Sequence, residues 1–224
     1  MITDRYEYVR INRKNINGKR HYLTPEGDAV PSVTTILDKT KPAEKMQALA
    51  NWRKRVGETK AQQIVTEAAN VGTVLHKKLE EYCLGTLEKP GSNLIQQQAD
   101  KMARVVIDTG LKDMNECWGV EVPLYYSGLY AGTTDCVGMF KGEPAIMDFK
   151  QTNKPKKREW IEDYFLQLSA YICAHDKTHE TKIKRGVILM CSREFKYQQF
   201  EIEGDELEFW KNKWWDRVEQ FYNK

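Results

Sequence analysis

The sequence predicts a mixed α/β protein in which helices pack on a central sheet, and three observations predict it. Between about Glu58 and Leu84, Ala61, Ile64, Val65, Ala68, Leu75, Leu79 and Tyr82 recur with the three-to-four-residue spacing of one buried helical face. Three β-rich segments follow, WGVEVPLYY, LYAGTTDCVGMF and PAIMDFK, separated by turn signals. After them come an apolar-periodic helix, two further strands and a last helix, the succession of a layered α/β or α+β fold. A length of 224 residues suits one domain. It divides into a hairpin and helical extension over 1–57 and a core over 58–224.

Taken in order, residues 5–24 read as two short strands around Asn17-Gly18, a dipeptide that favours a tight hairpin turn. Pro25 to Pro31 reads as a loop. Ser32 can cap a short helix through Leu37, although VTTIL also suits a strand. Residues 43–55 and 93–109 read as helices on either side of the long one, and Gly85 stands where the long helix should end. Gly72 lies inside that helix at a cost of about 1 kcal/mol against Ala, so something is expected to approach the backbone there. A helix from about Arg158 to His175, strands KRGVILMCS and YQQFEIE, and a helix from Asp205 to Tyr222 complete the chain. The tryptophans of that last helix are expected in the core.

Composition narrows the function classes. No run approaches the ~18 apolar residues of a membrane span, so a membrane partner is not expected. The five cysteines are dispersed and odd in number, with no CxxC pair. They are expected as buried thiols in a reducing compartment, with no disulfide framework and no zinc or iron–sulfur site. MITDRYEYVR has no apolar stretch and carries Asp4 and Glu7, unlike a secretory or transit peptide. Net charge is only +3, so it announces no nucleic acid by itself. The distribution says more: Lys150, Lys154, Lys156, Lys157 and Arg158 follow one another without an acid between them.

The chemistry begins at Asp148-Phe149-Lys150. On a strand, Asp148 and Lys150 share a face and Phe149 points into the core. An ordinary edge ion pair accounts for DxK alone. Asp135 stands on the preceding strand, and a hairpin turning at Lys141-Gly142-Glu143 would bring the two aspartates together as a hard-oxygen site for Mg²⁺ or Mn²⁺. Gly72, His76 and Glu80 share one face of the long helix. Gln167 and Tyr171 are again four apart, on the helix after the basic loop.

Four segments in order, GTVLH (72–76), GTTD (132–135), DFK (148–150) and QLSAY (167–171), together resemble the RecB-like branch of the PD-(D/E)xK nuclease superfamily. DFKQTNKPKK and PSVTTIL look most similar to the mitochondrial genome maintenance exonuclease-like group with its phage and bacterial members. The resemblance covers about residues 30 to 200. It implies a restriction-endonuclease-like core with a central mixed sheet flanked by helices. It also implies Asp135, Asp148, the Phe149 backbone carbonyl and His76 as metal ligands, and Lys150 as the residue that positions the attacking water. Gln167 and Tyr171 would steady the site and touch the DNA backbone. Gln151 departs from the threonine common after the lysine. Glu80 and Glu121 are extra acids, each open as a second metal's ligand or as support behind the first.

The expectation that follows is a Mg²⁺- or Mn²⁺-dependent DNA exonuclease acting on single-stranded or frayed ends, in recombination, repair, replication or DNA degradation. A structure-specific endonuclease and a non-catalytic nucleic-acid-binding module remain as alternatives. Lys154, Lys156, Lys157 and Arg158 are placed to hold phosphates. Trp160 and Tyr164 could stack on bases, or simply pack in the core. A motor or recombination and replication proteins would be separate chains. The expected location is the cytoplasm of a bacterial or virus-infected cell.

Overall fold

The computed structural model describes residues 2–223. The hairpin is present but starts later than YEYVR suggests: β1 (Asn12–Ile16) and β2 (Lys19–Leu23) pair antiparallel around Asn17-Gly18, both at positive φ (51° and 75°) as a type I′ turn demands. Tyr6 and Tyr8 instead pack on Trp118, His175 and His179, so their alternation reflects aromatic burial rather than strand pairing. The loop expected over 25–31 ends in a third strand, β3 (Ala29–Pro31), beside β2. Ser32 then caps α1 (Val33–Lys39) through its side chain to the Thr35 N–H at 3.0 Å, which settles VTTIL as helix.

The helices α2 (Ala43–Val56), α3 (Glu58–Leu84) and α4 (Leu94–Thr109) lie where the periodicity places them. Gly85 takes φ 74° and closes α3 in a left-handed cap. Asn93 and Gln96 form a capping box at the start of α4.

The central sheet has the order β4-β5-β6-β7-β8, formed by β4 (Met114–Tyr126), β5 (Tyr130–Phe140), β6 (Glu143–Thr152), β7 (Arg185–Ser192) and β8 (Tyr197–Glu203). β6 and β7 are parallel and the other neighbours antiparallel, so the sheet is mixed as expected. The parallel pair needs a crossover. It is supplied by α5 (Glu162–His179), preceded by a short 3₁₀ turn at Arg158–Trp160 rather than one helix from Arg158. α6 (Gly204–Tyr222) ends the chain.

The strand alternation divides the core between two layers. Val137, Ile146, Ile188 and Met190 face α1, α5 and α6, whose Ile36, Phe165, Leu168 and Trp214 fill that side. Cys136, Met147, Phe149, Val187 and Leu189 face α3 and α4, with Leu75, Leu79, Met102 and Val106 opposite. β7 is buried almost end to end, as a parallel strand covered on both faces must be. Trp214 is fully buried in the core, as expected of the last helix. Four cysteines are buried, as expected, and Cys173 is half-buried. Among the described residues no helix is long and apolar enough to cross a membrane.

His175, on α5, carries one consequence for stability. It is fully buried, with the Tyr8 hydroxyl 3.1 Å from Nε2 and the Thr181 hydroxyl 2.7 Å from Nδ1. Burial, with His179 beside it, pushes its pKa down to about 3. The unfolded chain binds that proton at about 6.5. The stabilisation is therefore complete above about 6.5 and is lost progressively as pH falls from there toward about 3. Between pH 7 and pH 5 this one group should remove about 2 kcal/mol. Thermal melts at the two pH values measure it; a His175→Asn chain that loses as much as the parent would contradict the assignment.

Candidate active site

The site forms where two strands part. β5 and β6 leave the Lys141-Gly142 turn paired, and their pairing runs out to Cys136 opposite Met147. The next residues outward are Asp135 and Asp148. From there β6 continues beside β7 as far as Thr152 opposite Ser192. The Phe149 N–H is left to the Asp135 carboxylate and donates to Oδ2 at 2.6 Å. α3 brings His76 across, with Nδ1 3.1 Å from Asp135 Oδ1. The hairpin sets Asp135 and Asp148 at the same end of neighbouring strands, but Asp148 is paired with Lys150 and is not among the donors that gather with His76; the Phe149 ring is buried and stands edge-to-face with the His76 ring.

β4 adds a residue whose role the sequence left open. The pairs Val120–Cys136 and Val122–Thr134 bracket Glu121 against Asp135. Donor atoms of His76, Glu121 and Asp135 lie within 4.8 Å of one another. Glu121 also sits at φ 48°, in the left-handed region, in the middle of a strand. Such strain costs on the order of 1–3 kcal/mol and gathers at functional sites. The only signal in the sequence was an acid inside the alternating VEV. Glu80 is half-buried and lines the same open groove as Glu121, Gly72, His76 and Arg13 of β1, but is not one of that ligand trio. The close approach expected at Gly72 is absent: no atom lies within 4 Å of where its Cβ would stand. The glycine leaves this wall of the groove bare.

On the other side, Lys150 forms an ion pair with Asp148 and donates to Gln167 Oε1 at 3.2 Å. Gln167 Nε2 in turn donates to the Tyr171 hydroxyl at 3.0 Å. The Tyr171 ring occupies the space beside Gly132, where a Cβ would come within 2.6 Å of it. Tyr164 also lies at the site, with Lys150 Nζ 4.9 Å from its ring centroid. The four motifs are therefore one connected cluster.

The electrostatics follow from burial opposed by charge. Burial pushes the Asp148 carboxyl up and Asp135 adds to it, outweighing Lys150, so it stands at about 6. Burial would raise Asp135 too, but the His76 hydrogen bond and charge, Lys150 and the Phe149 N–H hold it below the usual carboxylate range. His76 is lowered by burial and raised more by Asp135, for a net rise. Burial lowers Lys150, and the two aspartates more than reverse it, keeping the ammonium charged. Glu121 is raised by burial and then by Asp135.

This donor set fits a hard divalent cation. Two ligands at right angles on an octahedral ion, each about 2.1 Å away, stand about 3 Å apart, which matches the 3.1 Å between His76 and Asp135. Carboxylate oxygens with one imidazole suit Mn²⁺ or Mg²⁺ better than a soft ion.

The basic loop is only partly available to a ligand. Lys154 and Lys157 are exposed and Lys156 half-buried, its backbone tied to Gln198 of β8 at 2.7 and 2.8 Å. Arg158 is exposed, although it donates to Glu206 at 2.6 Å and lies over the Phe165 ring. Trp160 is 60% exposed, with Lys157 Nζ 5.4 Å from its ring centroid, so core packing does not account for it.

By the proteins it is related to, this mixed α/β chain is nuclease-like. The chain is related to vertebrate proteins named mitochondrial genome maintenance exonuclease 1: it is 29% identical over 212 residues to that of Xenopus tropicalis, covering 87% of this chain and 58% of the relative. To the Homo sapiens protein it is 26% identical over 211 residues, covering 88% and 59%. The chain thus spans less than two thirds of these relatives. A crystal structure of a putative exonuclease from Eubacterium rectale superposes with a TM-score of 0.49 at 14% identity, over 67% of this chain and 64% of that one. No protein-family model matches the chain.

Proposed function

We propose that the chain is a divalent-metal-dependent deoxyribonuclease, an exonuclease that hydrolyses phosphodiester bonds at single-stranded or frayed DNA ends. One observation carries the reading: a hard-ligand cluster of His76, Asp135 and Glu121 stands beside an Asp148–Lys150 pair braced by Gln167 and Tyr171. The kinship with proteins named exonucleases supports it.

His76, Asp135 and Glu121 would hold the cation, with Asp148 and the Phe149 carbonyl as the further ligands the motif implies. A bound Mg²⁺ or Mn²⁺ supplies acidified water and neutralises charge on the phosphate. The chain's own residues do the rest. Lys150 directs its ammonium at the attacking water and the charge that develops on phosphorus oxygens. Asp148 and Gln167 fix that ammonium, and Tyr171 fixes Gln167. Lys154, Lys156 and Lys157 take adjoining phosphates, and Trp160 offers a stacking face. The free cysteines support a reducing compartment, here the cytoplasm of a bacterial or virus-infected cell, with recombination or replication proteins as separate partners.

The test uses end-labelled single strands blocked at each terminus in turn, and a closed single-stranded circle, under metal titration. Linear strands should be shortened and the circle spared. Cutting of the circle would favour the endonuclease, and binding without cleavage at any metal concentration the non-catalytic module. Changing Lys154, Lys156 and Lys157 together to Gln should reduce the slope of log affinity against log salt by about 2. An unchanged slope would make the loop merely solvated.

A further inference from the structure

Three cysteines far apart in the chain meet at one point in the core. Cys83 comes from the last turn of α3, Cys117 from β4 and Cys136 from β5, and their sulfurs lie within 4.8 Å of one another. Cys117 Sγ and Cys136 Sγ are 3.7 Å apart. Thiolates at about 2.3 Å from one tetrahedral ion stand about 3.8 Å apart. That pair already has the spacing of two ligands on one centre. The Met114 thioether, 3.8 Å from Cys136 Sγ, adds a fourth soft atom.

Local backbone explains the convergence. β4 shifts register against β5 between Met114 and Glu116 and again between Cys117 and Gly119. Such bulges re-aim side chains, here bringing two sulfurs of one strand toward Cys136. The missing CxxC spacing is no obstacle, because three different elements supply the ligands. The thiols are no more than 2% exposed, yet Cys83, Met114 and Cys117 line a partly open cavity of about 300 Å³ with Glu116 at its wall. A soft ion therefore has a route in.

We propose that Cys83, Cys117 and Cys136, with Met114 beside them, bind one thiophilic d¹⁰ ion, Zn²⁺ or Cu⁺, at a centre separate from the carboxylate cluster. Thiolate and thioether ligands select these ions, and carboxylates do not. On binding, each coordinating thiol gives its proton to water and a sulfur–metal bond forms, with no change of oxidation state. The elements joined are α3, β4 and β5, which also carry His76, Glu121 and Asp135. The ion would fasten together the frame on which those ligands stand.

The experiment takes the full chain, reduced and stripped with chelator, then given excess Mg²⁺ to occupy oxygen ligands. Zn²⁺, Cu⁺ under anaerobic reductant, or Co²⁺ as a spectroscopic stand-in is added. We expect one equivalent of Zn²⁺ or Cu⁺ to survive gel filtration by native mass spectrometry; which one is retained in direct competition identifies the ion. Co²⁺ should give a thiolate charge-transfer band in the near ultraviolet. The band should persist in His76→Ala and vanish in Cys83→Ser combined with Cys136→Ser. No retained Zn²⁺ or Cu⁺, a cobalt spectrum without thiolate bands, or a band surviving the double substitution would overturn the proposal. Should the double variant fail to fold, the unmodified chain's spectrum decides alone. Because the readout is metal content and spectrum rather than cleavage, it stands or falls independently of the nuclease reading.

Discussion

Asp148→Asn and Lys150→Met should each lower the cleavage rate at least 10²–10³-fold, on the order of what one lost transition-state contact costs, while DNA binding stays near its original strength. The two side chains are nearly buried, and each is the other's charge partner. Neutralising either one leaves its partner's charge buried at a cost of about 3–5 kcal/mol; the near-isosteric changes add no cavity to that cost, and the melt separates chemistry from folding. Single-turnover cleavage, binding by fluorescence anisotropy and a thermal melt should be read on the same preparation. A folded, DNA-binding Lys150→Met chain that cuts at the original rate would remove the lysine from the reaction. Gln167 touches the lysine, and Tyr171 touches Gln167, rather than the carboxylate cluster, so Gln167→Leu should lower the rate less than Lys150→Met and leave the metal requirement where it was.

Excess EDTA should bring cleavage to background, and Mn²⁺ or Mg²⁺ should restore it in full. Cleavage that survives chelation would rule out the divalent mechanism whatever the fate of individual residues. The same titration ranks the ligands. Glu121→Gln should raise the Mn²⁺ concentration for half-maximal rate by at least about 10- to 100-fold, since losing even a group behind the ligands costs that much. Glu80→Gln, on the groove wall but outside the trio, should move it far less. Equal effects at the two positions would mean that the strained backbone at Glu121 serves something other than the cation.

Much of this was legible because local chemistry dictated it. The turn pairs Asn17-Gly18 and Lys141-Gly142 accept positive φ, and they fix both hairpins. Apolar period placed α3 with its bounds, and the DxK and GxxD segments named the carboxylates. What escaped depended on partners the chain cannot announce. Tyr6 and Tyr8 look like strand residues until α5 is there to receive them. Gly72 looks like a point of contact until the groove above it is found open. Glu121 was one of two extra acids of open role until β-sheet register set it, and not Glu80, against Asp135. The cysteine cluster needed three elements to converge, which no single spacing encodes.

The contact between Tyr171 and the vacant side of Gly132 ties two distant stretches of chain to a common fate. A methyl group at position 132 would need the ring to withdraw, and the ring cannot withdraw without loosening Gln167 and then the lysine. Across divergent descendants of this scaffold, the two sites should drift together or not at all, a bulkier residue at one accompanied by a slimmer one at the other.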